Sequence, residues 1–190
     1  GWKRTAVVLA TAAAFAAIAA AAWYLGAARR PTPPDVLLVV IDTVRADRLG
    51  CYGHAAARTP VLDALATQGA RFSNAVAHVP LTLPSHASIF TGRTPLAHGI
   101  RDNAGFVLGA DLPTVAEAFR HAGFHTAAFV SGYPLHRRFG LARGFDQYDD
   151  TFPRGTDRSR PPFVERDAGA TRAATDAWLR ALRPDDHRPL

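Results

Sequence analysis

Three features of the sequence predict an α/β fold with a largely parallel sheet flanked by helices. A continuous aliphatic run, Val36 to Ile41, reads as a strand buried on both faces, two amphipathic segments with helix-capping residues follow it, and a second short apolar run covers His125 to Val130. Alternation of buried strands with amphipathic helices is the pattern of such a sheet. At 190 residues and 48% hydrophobic content, the chain is long enough for about one domain with a real core. Two or three evident strands are few for this architecture, so the fold is expected to be incomplete at the C-terminus.

The first element precedes the domain. Between Lys3-Arg4 and Arg29-Arg30 the stretch Thr5 to Ala28 carries no charge. At about 1.5 Å per helical residue it is long enough to cross a hydrocarbon core of about 30 Å. Trp23 and Tyr24 stand near one end, where amphipathic rings favour the headgroup layer. Residues 1–30 are therefore expected to form a single transmembrane anchor, with a cleaved signal segment as the alternative. Basic pairs flank both ends, so charge does not orient it. Residues 31–34, Pro-Thr-Pro-Pro, cannot continue a helix and form a stiff linker. The soluble domain is expected to span residues 35–190.

Within that domain the Val36–Ile41 strand ends at Asp42. Thr59-Pro60 supplies an N-cap and a first-turn proline, Val61, Leu62 and Leu65 form one helical face, and Gly69 closes the helix. A second helix is signalled by Thr114 and Glu117 at capping-box spacing, with Val115, Phe119 and Ala122 as its buried face and Gly123 after its end. The His125–Val130 strand follows. Pro153 to Pro162 is polar and without periodicity, which predicts a loop. A last helix is expected over Val164 to Leu182, burying Ala168, Ala174, Trp178 and Leu182 or their neighbours, and Asp185-Asp186-His187, placed after Pro184, reads as solvated tail.

Composition excludes some functions. The formal charge of +6 comes almost wholly from scattered arginines, since Lys3 is the only lysine, and no basic stripe of the kind that binds nucleic acid is present. Cys51 is the single cysteine, which rules out an internal disulfide framework. It sits in a Gly-Cys-Tyr-Gly turn as small filler.

Two positions carry chemistry. Ligands of open α/β sheets bind beyond the carboxyl ends of the strands, and Asp42 stands at such an end, where a carboxylate can hold a hard cation. The alternative is that Asp42 caps the turn or pairs with Arg45 or Arg48. In Pro80-Leu-Thr82-Leu-Pro-Ser-His86-Ala, Pro84 or Ser85 is expected to begin a short helix with Thr82 just ahead of it. An anion held at Thr82 would then face the unpaired N–H groups of the first turn. A metal beside a hydroxyl is one way to make it nucleophilic. Read without that context, Thr82 is an ordinary loop hydroxyl.

The run Val-Leu-Leu-Val-Val-Ile-Asp42-Thr-Val-Arg-Ala-Asp-Arg-Leu-Gly-Cys-Tyr-Gly53, then Thr59-Pro60, then Thr82-Leu-Pro-Ser-His-Ala-Ser-Ile-Phe-Thr-Gly92, resembles the N-terminal half of the sulfatase family within the alkaline phosphatase superfamily. Ala122-Gly-Phe-His-Thr126 is similar to the family's next helix-to-strand segment, so the resemblance runs from about Asp35 to Asp150. It implies an alkaline phosphatase-like fold and a metal-dependent ester hydrolase or transferase, with a divalent ion such as calcium, zinc or manganese held in part by Asp42.

The family's usual catalytic residue is a cysteine or serine oxidised to formylglycine in a Cys/Ser-x-Pro-x-Arg motif. Here Thr82 occupies that position and His86 replaces the arginine. A secondary alcohol cannot be oxidised to an aldehyde, so formylglycine is not expected and Thr82 is the expected nucleophile. The usual Asp-Asp pair is reduced to Asp42-Thr43, and Phe129-Val-Ser-Gly-Tyr133 stands where a lysine and a histidine are common. A sulfated threonine has no second hydroxyl with which to expel sulfate, so phosphate or phosphonate esters are candidate substrates beside sulfate esters.

His86, Arg93, His98, Arg101 and Asn103 are candidate holders of the ester oxygens, because such donors stabilise charge that develops at the reacting centre. For each, a structural hydrogen bond or an exposed charge is the alternative. The resemblance also implies an exported enzyme, a single-pass membrane protein with its catalytic domain on the extracytoplasmic side. A contrasting expectation is a truncated, membrane-anchored module that binds anionic groups without turnover.

Overall fold

The computed structural model describes residues 16–21, 23, 33–153, 165–183 and 185–190. It divides into two compact units, Gly1–Asp35 and Val36–Leu190. In the first, residues 16–21 and 23 are helical and exposed, and Pro33 and Pro34 have no regular structure. Most of the expected Thr5–Ala28 anchor, Pro31 and Thr32 of the linker and nearly all of the Pro153–Pro162 loop lie outside the described residues. No helix among the described residues is long and apolar enough to cross a membrane.

The second unit contains five helices and a two-stranded parallel sheet among its described residues. The helices are α1 (Pro60–Gln68), α2 (Thr82–Thr91), the single turn α3 (Pro95–His98), α4 (Val115–His121) and α5 (Ala168–Ala181). The strands are β1 (Ala127–Phe129) and β2 (Gln147–Asp149), in register Ala127 to Gln147, Ala128 to Tyr148 and Phe129 to Asp149. Short 3-10 turns at Tyr133–Leu135 and Arg137–Phe139 make the connection between them.

Local chemistry explains the helices. Thr114 accepts the Glu117 N–H at 3.2 Å while the Glu117 carboxylate accepts the Thr114 N–H at 2.8 Å, so the expected capping box starts α4. Thr59-Pro60 and Gly69 bound α1 as expected, although Thr59 gives α1 no side-chain cap. Its hydroxyl oxygen instead accepts the Gly50 N–H at 3.0 Å and faces Asp63, whose carboxylate takes the Cys51 N–H at 2.6 Å. These bonds tie the Gly50–Tyr52 turn to α1. At α5 the Asp167 side chain accepts the Ala170 N–H, which fixes the start four residues later than expected from sequence.

The core is built around α2. Leu83 and Ala87 from its inner face pack with Ile100, Leu108, Phe139 and Leu141, ringed by Phe90, Phe106, Leu112, Tyr133 and Leu135. Expected faces shift elsewhere. Val115 and Ala122 are exposed while Ala116 is buried, and along α5 Ala168 is exposed while Ala174, Trp178 and Leu182 are half-buried.

The largest correction concerns Val36 to Ile41. The run forms no paired strand and is exposed, with Leu37 at 83%. A strand needs neighbours for its backbone groups, and among the described residues only the Val36 N–H makes a backbone bond from this run, to the Leu190 carbonyl at 2.7 Å. A second correction concerns the end of the chain. Asp186 is half-buried and accepts from His125 Nε2 at 2.7 Å, while the His125 N–H bonds the Pro189 carbonyl at 2.8 Å. Pro189-Leu190 thus bonds the starts of both the Val36 run and the segment leading into β1. Asp42 and Ser131 follow the opposite ends of those two runs.

Candidate active site

The two chemistry-bearing positions meet. The Thr82 hydroxyl donates to Asp42 Oδ2 at 3.0 Å across forty residues of sequence. Asp42 is exposed and Thr82 half-buried, so the pair lies open to solvent above the buried face of α2. Of the alternatives for Asp42, pairing with Arg45 is not seen, because Arg45 is engaged by Asp47 at 2.9 and 2.7 Å. Directly after Asp42, Thr43 adopts φ 57°, the only non-glycine positive φ among the described residues. A β-branched residue in this region costs about 1–3 kcal/mol, and such strain gathers where a backbone has to be aimed. Here the turn aims the Asp42 carboxylate at Thr82.

Helix α2 begins at Thr82 itself, with Leu81 as N-cap, two or three residues earlier than the sequence suggests. Thr82 therefore occupies the first helical position. The first turn offers fewer free donors to an anion than expected, because Asn103 Oδ1 accepts the Leu83 N–H at 2.9 Å and Pro84 has no N–H. Asn103 caps α2 through that oxygen.

The other candidates separate into two groups. His86 is buried one turn along α2, its Nδ1–H donating to the Thr82 carbonyl at 2.8 Å. It touches the backbone of Thr82 rather than its hydroxyl. His98 is buried beneath α2, where its Nε2 meets Ser88 Oγ at 3.0 Å, Ser88 donates to the Pro84 carbonyl at 3.1 Å and the Ile100 N–H donates to Nδ1 at 3.1 Å. Burial pushes the His98 imidazole below its ordinary value. The structure thus gives His98 the role of a neutral link between α2 and α3. Arg93 and Arg101 are exposed, and the structure does not join either to the Thr82–Asp42 pair.

Sequence reading missed an ionic cluster at the carboxyl ends of β1 and β2. Arg137 forms hydrogen bonds to buried Asp150 at 2.6–3.0 Å and to the Tyr148 carbonyl at 2.6 Å, and Arg166 bonds Asp149 at 2.9 Å and the Thr171 hydroxyl at 3.1 Å. Burial alone would raise the Asp150 carboxyl, but the Arg137 guanidinium and N–H hold it below the usual range. The adjacent Asp149-Asp150 pair was the available signal in the sequence.

Asp42 and Thr82 offer oxygen donors of the kind a hard divalent cation takes, and such a cation needs six or more ligands when it is calcium. Among the described residues no group of three or more His, Cys, Asp or Glu side chains is gathered that could hold one. The pair fits a metal in donor type.

Comparison with known proteins gives a consistent family. The family described as Sulfatase matches residues 34–190. An ulvan-active sulfatase of Formosa agariphila is 32% identical over 143 residues, 72% of this chain and 28% of that protein. Among solved structures, a putative sulfatase of Bacteroides thetaiotaomicron superposes with TM-score 0.56 at 27% identity, over 67% of this chain and 28% of the other. The phosphonate monoester hydrolase of Agrobacterium radiobacter superposes with TM-score 0.50 at 31% identity, over 68% of this chain and 22% of the other. The chain spans about a quarter of the length of the relatives it matches.

Proposed function

The chain belongs to the sulfatase family of the alkaline phosphatase superfamily, and from that premise we propose that the complete protein hydrolyses or transfers sulfate, phosphate or phosphonate esters through Thr82. The observation that carries this reading is the 3.0 Å hydrogen bond from the Thr82 hydroxyl to Asp42. It holds the hydroxyl proton on a carboxylate and leaves the oxygen lone pairs for attack. Thr82 Oγ1 forms a bond to phosphorus or sulfur as its proton passes to Asp42 Oδ2, the bond from that phosphorus or sulfur to the ester oxygen breaks, and the departing alkoxide takes a proton from water. The threonine ester is then released by water or a second alcohol. A divalent cation held in part by Asp42 would supply the positive charge that lowers the hydroxyl pKa.

Both ester classes have support in the comparisons, since one solved relative is a phosphonate monoester hydrolase and the others are sulfatases. The threonine favours phosphate and phosphonate, because a threonine sulfate cannot collapse through a second hydroxyl. In this reading the catalytic unit is held at an extracytoplasmic membrane face by Thr5–Ala28. The test uses the full-length protein. Thr82→Ala should abolish turnover with folding intact, Thr82→Ser should retain measurable activity, and acid quenching with a slow phosphomonoester should leave a mass adduct on the Thr82 peptide. An active Thr82→Ala variant with no adduct would disprove the assignment. Asp42→Asn should weaken divalent-metal binding by calorimetry at least tenfold.

A further inference from the structure

Pro189 and Leu190 bond to two different segments, one on each side. The Leu190 carbonyl accepts the Val36 N–H at 2.7 Å, and the Pro189 carbonyl accepts the His125 N–H at 2.8 Å. In an extended strand the carbonyls of successive residues point to opposite edges, so this alternation is that of a strand with a neighbour on each side. β1 shows the same alternation. The Thr126 carbonyl accepts the Gln147 N–H at 3.1 Å and the Val130 N–H donates to the Asp149 carbonyl at 3.0 Å, both toward β2, whereas His125 turns its N–H to Pro189. Ala127 and Phe129 are in phase with His125, so their backbone groups face away from β2. Among the described residues, β2 is the one strand paired with β1.

The Val36–Ile41 run and the stretch from His125 to Val130 match each other. Each is six residues long and begins at a bond to Pro189-Leu190. Each also ends near α2. Asp42, directly after the run, accepts from Thr82 at the head of α2, and Leu135, in the turn after β1, packs against the cluster that contains Leu83 and Ala87. Two extended segments that share a start and a finishing helix run in the same direction. Alternate side chains of the run are open on both faces, with Leu37 at 83% and Leu38 at 57% exposure. A continuous aliphatic run of this kind has the composition of an interior strand of a parallel sheet.

We propose that Pro189-Leu190 is the head of a third parallel strand, and that the chain following Leu190 in the complete protein runs on between Val36–Ile41 and β1 and pairs with both. The relatives are longer than the region they share with this chain, which is 28% of each. The two bonds set the register. Leu190 stands opposite His125 and the next residue opposite Val36, so the third residue after Leu190 stands opposite Leu38. An interior strand of a parallel sheet is apolar on both faces, so about five or six consecutive aliphatic residues should follow Leu190. Pairing satisfies the open backbone groups of the Val36 run and holds the segment that ends in Asp42. The inference does not depend on the ester-hydrolase reading.

The test places cysteines in the full-length protein. Leu38→Cys, combined with a cysteine substituted at the third residue after Leu190, should form a disulfide under mild oxidation, because facing Cα atoms of adjacent strands lie about 5 Å apart. Moving the second cysteine one residue along turns it to the opposite face, and the yield of linked peptides should fall at least about tenfold. No disulfide, or equal yields at the two positions, would overturn the strand. Hydrogen exchange on the unsubstituted full-length protein gives a second readout. The amides of Leu38 and Val40, in phase with Val36, and those of Ala127 and Phe129 should exchange within about tenfold of the rate at Ala128, which faces β2. Free exchange at these four amides would refute the pairing. Rates that rise on dilution would assign the slot to a second copy of the protein and refute it as well.

Discussion

The Thr82–Asp42 hydrogen bond joins two residues that sequence could nominate only separately. Each stood out by position: a carboxylate ending an aliphatic run, and a hydroxyl at the head of a Pro-Ser-His helix. His98 and Asn103 looked equally suited to an anion, yet each is occupied by structure, because a buried imidazole and an orphan helix N–H both need partners. The His98 assignment has a pH consequence. Its folded imidazole titrates below the ordinary value of 6.5, so between that depressed value and 6.5 the unfolded state binds more protons and stability rises with pH. Urea unfolding should show stability dropping as pH is lowered through about 6.5. In His98→Gln this part of the dependence should vanish. A pH profile identical in wild type and variant would mean that His98 does not titrate as a buried neutral link.

At the scale of elements, what was local was legible. The capping box of α4 and the Pro60 and Gly69 boundaries of α1 are set by residues within one turn of each other, and they fall where the spacing predicts. Faces were less legible, since which side of α4 is buried depends on the segment that crosses it. That segment brings Gly144 against α4, where a Cβ would stand 2.2 Å from the Glu117 nitrogen and 2.6 Å from the Ala116 carbonyl carbon, at φ +90°. Gly144→Ala should therefore lower unfolding free energy by about 3 kcal/mol or more, through overlap with backbone and a disfavoured left-handed φ together. Gly53→Ala is the control. Gly53 has φ +99° with nothing within 4 Å of its Cβ position, so only the conformational cost of about 1–2 kcal/mol should appear. Equal midpoints of denaturation for the two variants would contradict the close approach. β2 was missed because only Tyr148 of its three residues is buried, and a short polar strand has no apolar run to announce it.

At the scale of the molecule, the anchoring proposal predicts that alkaline carbonate leaves the full-length protein in the membrane pellet, and that deletion of residues 1–34 moves it to the supernatant. Complete release of the undeleted protein would refute an anchor in Thr5–Ala28. The sequence by itself determined the α/β class, the capping box of α4, the uncharged N-terminal stretch and the nomination of Asp42 and Thr82, because propensity, capping and charge act over a few residues. Tertiary structure decided that Asp42 bonds Thr82 rather than Arg45, that His98 is a buried link, that Asp186 is tied to His125 and that Val36–Ile41 stays unpaired. Each of these depends on which distant group arrives to satisfy a donor, an acceptor or an apolar face. A hydrogen bond across forty residues is set by the path of the chain between them, and a strand exists only where a second strand meets it.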